Sequence, residues 1–519
     1  MAESSFDAIV IGGGINGLVS ACLLQKAGKR TLLLEASDRF GGMAARVSPD
    51  GQSAEPGLAL FGKPLSAALA KRLDLQVESE PLDQLSFLPD GGSLLLPAND
   101  PVACRTALGR FSERDAERLG AFHARLTRLS GALSPFLERR PPKIGKNGWD
   151  DKMELGRLGF TLRRLGKADM RDLLRIIAMN AADLLEEVFE GDAVQGLYSL
   201  DSVLGNLFGP RSPNTVFTLL LRWASVNDPE DGAPLRPKGG PQALVRALVR
   251  KAAALGVTLR ADTPAARILV EGDKARGVEL EGGETLSASL VLSSLHLRRS
   301  CLDLLGVEHL DADMVRNLRF ARGKGANAAL VAKLSAAPEL GVGEGRLGQT
   351  RLIHAPSIAE VEEAHNATKY GEVAELPPFE ALVTKSGEGY RLQATLQACT
   401  SELRGQDWTA AGPALRDRVL AGLDARLPGF SGLVEEAELI SPDRIGEELG
   451  APGGHWHHLE LGLDQVYMLR PVPGLAQYRT PVEGCYLSGS SSHPGGGLGG
   501  AAGANAVTEA LGAAKGGRA

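Results

Sequence analysis

A chain that opens Phe6-Asp7-Ala8-Ile9-Val10-Ile11-Gly12-Gly13-Gly14-Ile15-Asn16-Gly17 has few ways to fold. The apolar run has strand character, and the glycines that follow it at once fit G-x-G-x-x-G. Leu18 to Gly28 reads as a helix, with Leu18, Ala21, Cys22 and Leu24 at helical spacing. Thr31 to Leu34 reads as a second buried strand, ending at Glu35. This is a βαβ unit of about 30 residues, with an acid near the offset of about 20 that a dinucleotide site requires. Gly12 allows the tight turn, Gly14 lets backbone approach a pyrophosphate, and Gly17 lets helix and strand pack closely. The helix N-terminus offers unpaired N–H groups and partial positive charge to phosphate. Glu35 can accept hydrogen bonds from a ribose diol. A plain strand–turn–helix explains the glycines but not the order of all four parts.

After Glu35 come Ala36-Ser37-Asp38-Arg39-Phe40-Gly41-Gly42-Met43. An Arg and a Gly pair just past the ribose acid resemble the extension found in FAD-binding flavoproteins of the amine oxidase and phytoene desaturase group. The resemblance favours FAD over NAD, with Arg39 reaching phosphate or ribose.

The chain has 519 residues, enough for two or three domains. Its net charge of -6 gives no reason to expect nucleic acid as a partner. Cys22, Cys104, Cys301, Cys399 and Cys485 form no C-x-x-C, which argues against a redox disulfide and for a reducing compartment. With a strand starting by Phe6 and no apolar run long enough to span a bilayer, the expectation is a cytoplasmic protein, with peripheral membrane attachment as an open option.

The most periodic segment runs from Asp169, a candidate N-cap, to Phe189, with Met170, Leu173, Leu174, Ile177, Ala181, Leu184, Leu185 and Val188 on one face. Just upstream, Arg157, Arg163, Arg164 and Lys167 interleave with Leu158, Phe160, Leu162 and Leu165. Residues 155–189 therefore read either as membrane-contact helices or as core helices with a solvated basic face. From Pro237, Gly239-Gly240-Pro241 leads into a helix over Gln242 to Leu255. Strands Val257–Leu259, Ala266–Val270, Ala275–Leu280 and Glu284–Leu292 follow.

Near the end, Glu483 to Gly489 reads as a strand, followed by Ser490-Ser491-Ser492-His493-Pro494-Gly495-Gly496-Gly497-Leu498-Gly499-Gly500 and a helix from about Ala504. A second dinucleotide motif here lacks the length for another strand and acid. The better reading is a glycine turn that brings backbone and a helix N-terminus to a flavin ring. The helix dipole then stabilises negative charge on the reduced ring. Gly500 is expected where backbone passes the ring, so that a side chain there would push the ring away.

Residues 453 to 506 resemble the C-terminal signature of phytoene desaturase-like flavoproteins, in the branch called pyridine nucleotide-disulfide oxidoreductase domain 2. The resemblance rests on Gly453-Gly454, His458, Leu463-Asp464-Gln465, Arg470-Pro471, Pro473-Gly474, Tyr478-Arg479-Thr480-Pro481, Gly489, His493 to Gly497 and Gly500. Ala181 to Leu185 and Gly209 to Pro213 extend it to the middle of the chain. Departures are Gly239-Gly240-Pro241-Gln242, where Gly-Gly-Met-Gly is usual, and the lack of an aromatic or His pair near Leu221-Arg222-Trp223. His455, His457 and His458 lack an acidic or Cys partner at ligand spacing, so no metal is expected.

The fold implied is α/β: a discontinuous Rossmann-type FAD-binding domain (1–75, 235–300, 446–519) with an inserted α+β substrate domain (76–234, 301–445). The resemblance implies FAD contacts at Gly12, Gly14, Ile15, Asn16, Gly17, Glu35, Ala36, Arg39, Gly41, Gly42, Met43, Ala265, Gly489, Ser490, Gly499, Gly500 and Ala501. His458 and His493 are the candidate acid or base, with orientation of backbone as the competing role. The activity implied is hydride transfer between flavin N5 and a C–H or C–C unit of a small apolar substrate. The alternatives are redox-neutral isomerisation or saturation of a polyene, and a non-catalytic prenyl-binding protein on this fold. A homo-oligomer is the remaining partner option.

Overall fold

The computed structural model describes residues 5–143, 148–230 and 232–516. Its organising element is a five-stranded parallel sheet built from distant stretches of chain. The strands are β1 (Ala8–Ile11), β2 (Thr31–Leu34), β3 (Thr258–Arg260), β4 (Leu290–Ser293) and β5 (Cys485–Leu487), in the order β5-β4-β1-β2-β3. Apolar residues on both faces of these strands demand cover on both sides. Ala8, Val10 and Leu33 face three helices, α1 (Ile15–Lys26), α2 (Pro241–Leu255) and α3 (Ala501–Gly516). Ile9, Ile11, Leu32 and Leu34 face a three-stranded antiparallel sheet over residues 265–287 through Ile268, Val278 and Leu286. Truncating a buried leucine such as Leu32 would cost about 2–5 kcal/mol.

Close helix–strand packing explains several glycines. A Cβ on Gly17 would stand 1.9 Å from the Gly12 carbonyl oxygen, and one on Gly503 would stand 2.2 Å from that of Asn16. The first contact seats α1 on β1, and the second seats α3 on α1.

The second domain holds a seven-stranded sheet, in the order Val434–Ile440, Ala328–Leu334, Gly389–Leu396, Phe379–Ser386, Thr350–His354, Asp83–Phe87, Ser93–Leu96. Neighbours run antiparallel except Thr350–His354 and Asp83–Phe87, which are parallel. One core forms where this sheet meets the helix Trp408–Arg426. A separate helical core gathers Glu113–Leu137, Ala181–Val188, Asp192–Val203 and Thr215–Val226.

The single helix expected from Asp169 to Phe189 is two. Gly166–Ile176 ends, and Ala181–Val188 restarts with Asn180 as its cap, accepting from the Asp183 amide. Asp169 is not a cap; its carboxylate pairs with Arg128. The periodicity survives the break because both helices bury apolar residues in one core. The expected strand Glu284–Leu292 divides into Thr285–Ser287, in the antiparallel sheet, and β4, in the parallel one. Helices α1 and α3 each begin three residues before their expected starts. Among the described residues no helix is long and apolar enough to cross a membrane.

Candidate functional site

In an open parallel sheet the ligand crevice lies beyond the carboxyl ends of the strands. Four strands here end in residues that line one cavity of about 1260 Å³. β1 leads into Gly12 to Asn16, β2 into Glu35, Ala36 and Ser37, β4 into Ser294, Leu295 and His296, and β5 toward Ser490. The cavity continues along Pro494 to Ala501 and reaches the second domain at Asp201 and Arg222, beside Phe61, Lys63 and Trp456 of the first. Its volume exceeds the 300–1,000 Å³ typical of a site for one small ligand.

The glycine loop is held from both sides. Ser294 Oγ donates toward the Ile11 and Gly12 carbonyls (3.0 and 2.9 Å), and Gly12 sits at φ 99°. Glu35 Oε2 accepts from the Gly13 amide (2.7 Å) and Oε1 from the Ser37 amide (3.0 Å). These bonds orient the carboxylate and leave each oxygen a second lone pair for a diol. Arg39 Nη1 donates to Ser53 Oγ (2.9 Å) at the cavity rim. A Cβ on Gly14 would meet nothing within 4 Å, so backbone is bare to the cavity there. Helix α1 starts at that point with no side-chain cap, so its first N–H groups and positive end face the cavity.

The far wall is made by the C-terminal turn. Cβ atoms on Gly497 and Gly499 would again meet nothing within 4 Å. Gly496 differs: its Cβ would stand 1.8 Å from the Trp456 carbonyl oxygen, and its amide donates to His457 Nδ1 (3.1 Å). Beneath the turn lies Arg470, fully buried. Its guanidinium donates to the carbonyls of Leu459, Glu460, Gln465 and Ser490 at 3.0–3.4 Å, and also to those of His457 and Ser492. One cation thus ties residues 457–465 to residues 490–492.

Burial keeps the nearby imidazoles neutral: His457 is pushed down to about 3, His296 to about 4, and His458 well below its ordinary value. The deep end of the cavity is polar. Arg222 donates to Asp201 Oδ1 (2.9 Å) and Glu380 Oε2 (2.7 Å), and buried Arg351 donates to Glu380 Oε2 (2.9 Å), Gln84 Oε1 (3.0 Å) and Asp201. Both guanidinia lie over the Phe61 ring, at 5.5 and 5.3 Å. Burial alone would raise the Asp201 carboxyl, but Arg351 and Arg222 together hold it below the usual range. Lys63 Nζ donates to the Ala224 carbonyl (2.8 Å), and burial lowers its pKa against the opposing pull of Asp228 and Glu138.

The bare glycine floor, the oriented acid and the two helix N-termini fit FAD. Comparison with known proteins agrees. Residues 15–306 match the family model described as flavin containing amine oxidoreductase. The chain belongs to this family. A rat protein named pyridine nucleotide-disulfide oxidoreductase domain-containing protein 2 is 26% identical, over 97% of this chain and 93% of its own. The lycopene-forming phytoene desaturase of Pantoea ananas is 25% identical, over 97% and 98%. Among solved structures, an oxidoreductase from Methanosarcina mazei covers 97% of this chain and 99% of its own, with a TM-score of 0.59 at 15% identity. Cyclohexylamine oxidase from Brevibacterium oxydans covers 98% and 99%, with a TM-score of 0.56 at 17% identity. This family member is an FAD-dependent oxidoreductase.

Most of the residues predicted to bind FAD line the cavity: Gly12, Gly14, Ile15, Asn16, Glu35, Ala36, Arg39, Gly41, Gly42, Met43, Ser490, Gly499, Gly500 and Ala501. Three predicted contacts do not. Gly17 serves the packing of α1, and a Cβ on Gly489 would stand 2.3 Å from the Ser294 carbonyl oxygen. Ala265 is buried in the core beneath the sheet, and its carbonyl accepts from Arg299 (3.4 Å). The role expected of Gly500 also changes. Its Cβ would meet Val19 Cγ2 (2.8 Å) and Leu65 Cδ2 (3.1 Å), so this glycine relieves packing at φ 65°. Gly497 and Gly499 are the positions of this turn where a Cβ would meet only open space.

Of the two candidate histidines, His458 lines the cavity, with Nδ1 3.4 Å from Ser491 Oγ. His493 does not: its Nε2 donates to the Phe136 carbonyl (2.7 Å) in the core, and burial lowers it to about 4. That bond ties the C-terminal turn to the helix Glu113–Leu137. None of the five cysteines lines the cavity, and all are free thiols. The sequence reading missed Gly13, Phe61, Lys63, Asp201, Arg222 and Glu380. Gly13 had a local signal, since it adjoins Gly12, and its Cβ would stand 2.4 Å from Phe40 and 2.9 Å from Glu35. The others had none.

Proposed function

We propose that this flavoprotein removes hydride and a proton from adjacent carbons of a largely apolar substrate that carries one polar group. The observation that carries this reading is the continuity of one cavity from Glu35, past the bare Gly497–Gly499 turn, to the Phe61–Arg222 wall. The named desaturase among its relatives supports the reaction class. Leu60, Leu204, Leu221 and Leu461 supply apolar walls for the substrate body, and Arg222 supplies a donor for its polar group.

When bound, the flavin ring supplies the hydride acceptor; this chain's residues do the rest. The α3 N-terminus and the fixed Arg470 cation would supply positive charge to a ring held at the C-terminal turn. The neutral His457 and His458 add bulk without charge and help keep water out. Lys63, which lines the cavity with its Nζ held on the Ala224 carbonyl and its pKa lowered by burial, is the group assigned to take the proton from the substrate carbon next to the one that loses hydride.

The test is the flavin spectrum of the FAD-loaded protein under anaerobic conditions with candidate polyenes and polar-ended isoprenoids. Bleaching with formation of an extra double bond supports dehydrogenation. A stable spectrum with product formation indicates isomerisation and overturns the proposal.

As a partner surface we propose an anionic bilayer against the helix Trp149–Arg164 and the one after it. Trp149 (75% exposed), Met153 and Phe160 (61%) share one face at i, i+4 and i+11, beside exposed Arg163, Arg164 and Lys167. Co-sedimentation with phosphatidylglycerol vesicles that persisted in Trp149→Ser/Phe160→Ser would refute it.

A further inference from the structure

A second cavity, of about 600 Å³, lies where the two domains meet and shares no lining residue with the flavin cavity. The first domain contributes Ala54, Pro56 and the start of α2, at Gly239 and Gln242. The second contributes the turn Leu347-Gly348 and the end of the hairpin formed by Phe379–Ser386 and Gly389–Leu396.

The charged side chains in its walls are Arg236, Lys385 and Arg391, and among the described residues no Asp or Glu lines it. Arg236 is 8% exposed. Only its Nη1 is committed, to the Gly348 carbonyl (2.7 Å); Glu80 stands 3.9 Å from Nη1, and Nε is buried without an acceptor. Arg391 Nε is likewise buried without an acceptor. Burial lowers both arginines, opposed only in part by Glu80 for the first and by Glu55 and Glu438 for the second. Strand register sets Thr384 opposite Arg391, which adds a hydroxyl, and Ser386, two residues along the same strand, supplies another.

The turn before α2 is shaped for this. Gly239 and Gly240 sit at φ 75° and 85°, and a Cβ on Gly240 would stand 2.5 Å from Gln242 Oε1 and 2.7 Å from Arg236 Nη2. The glycine leaves room for both the Gln242 amide, whose Oε1 is buried without a partner, and the guanidinium, and the positive end of α2 opens on the same space. This accounts for Gly239-Gly240-Pro241-Gln242, the sequence departure that the flavin site leaves unexplained.

We propose that this interdomain cavity binds a phosphate-type oxyanion, gripped by Arg236, Arg391 and Lys385. A buried and a half-buried guanidinium fork with free N–H groups suit the several oxygens of a phosphate, and three cations without a lining acid suit its multiple charge. The anion joins the hairpin of one domain to α2 of the other.

The experiment is calorimetric titration of the FAD-loaded protein, its flavin site filled, with inorganic pyrophosphate and with ADP. Expected is saturable binding at one site that weakens as salt is raised and weakens at least tenfold in Arg391→Gln and in Lys385→Gln. Arg391 makes no side-chain hydrogen bond that its loss would break, and Lys385 is exposed, so both variants should fold; a melting curve checks this. Much tighter binding of ADP than of pyrophosphate would identify the source as a nucleotide, and equal binding a free polyphosphate. No saturable binding at millimolar concentration overturns the proposal, as does binding that survives both substitutions.

Discussion

Gly14 and Gly17 belong to one motif, yet substituting them should break different things. At Gly14 the backbone has φ -69° and ψ 177°, which alanine adopts without strain, and the new methyl would meet nothing within 4 Å. Without cofactor, Gly14→Ala should therefore be as stable as the parent, or more stable by about 0.4–1 kcal/mol through its stiffer unfolded chain. The methyl would occupy the layer between backbone and pyrophosphate. Losing one charge-assisted hydrogen bond costs about 1.5–3 kcal/mol, or roughly 10- to 150-fold in FAD affinity. At Gly17 the methyl would stand 1.9 Å from the Gly12 carbonyl oxygen, which is backbone and cannot swing aside. Gly17→Ala should lose about 1–3 kcal/mol or more from overpacking even without FAD. The assay is urea unfolding of both apoproteins beside FAD titration by flavin fluorescence quenching. If Gly14→Ala bound FAD with the parent dissociation constant, the pyrophosphate would not lie on Gly14 and the site assignment would fail.

Glu35→Ala should weaken FAD roughly tenfold to a hundredfold with little loss of fold, read by the same titration, because it removes the ribose acceptors. Lys63→Met should cut turnover about a hundredfold or more and abolish the rise of rate with pH, since the neutral amine is the acting form; an unchanged pH–rate profile would remove Lys63 from the reaction. The buried histidines set an acid limit. His123, His296 and His493 are lowered to about 4 by burial, so between pH 6.5 and 4 the unfolded chain binds protons that the folded one refuses. Stability should fall with pH across that window, by about 2 kcal/mol per histidine at pH 5; identical urea midpoints at pH 7 and 5 would contradict this. Gly496→Ala should displace the C-terminal turn and lower both melting temperature and flavin content, whereas Gly499→Ala, at a position with open space and no positive φ, should keep the melting temperature.

The βαβ unit was legible because its residues are contiguous and each carries a local steric or electrostatic reason. The glycine turn before α3 was legible for the same cause, although which glycine faces the cavity was not. Gly497 and Gly500 look alike in a sequence, and only the packing of Val19 and Leu65 against the latter separates them. The helix break near Asn180 was hidden because apolar spacing continues through it. The Asp201–Arg222–Arg351–Glu380 cluster comes from two helices and two strands, far apart in the chain, and no short-range pattern announces it. Lys63 reads as an ordinary loop lysine until Ala224 is placed beside its amine.

The interleaving of the parallel sheet bears on the order of events during synthesis. β1 and its glycine loop emerge first, but β5 and α3, which complete the sheet edge and the cavity wall opposite that loop, come from residues 485–516. A ribosome-bound chain stalled before β5 can present the phosphate seat but not the wall opposite it. On this topology a complete cofactor cavity requires α3 docked on α1, and the apolar sheet edge at β4 is uncovered until β5 pairs with it.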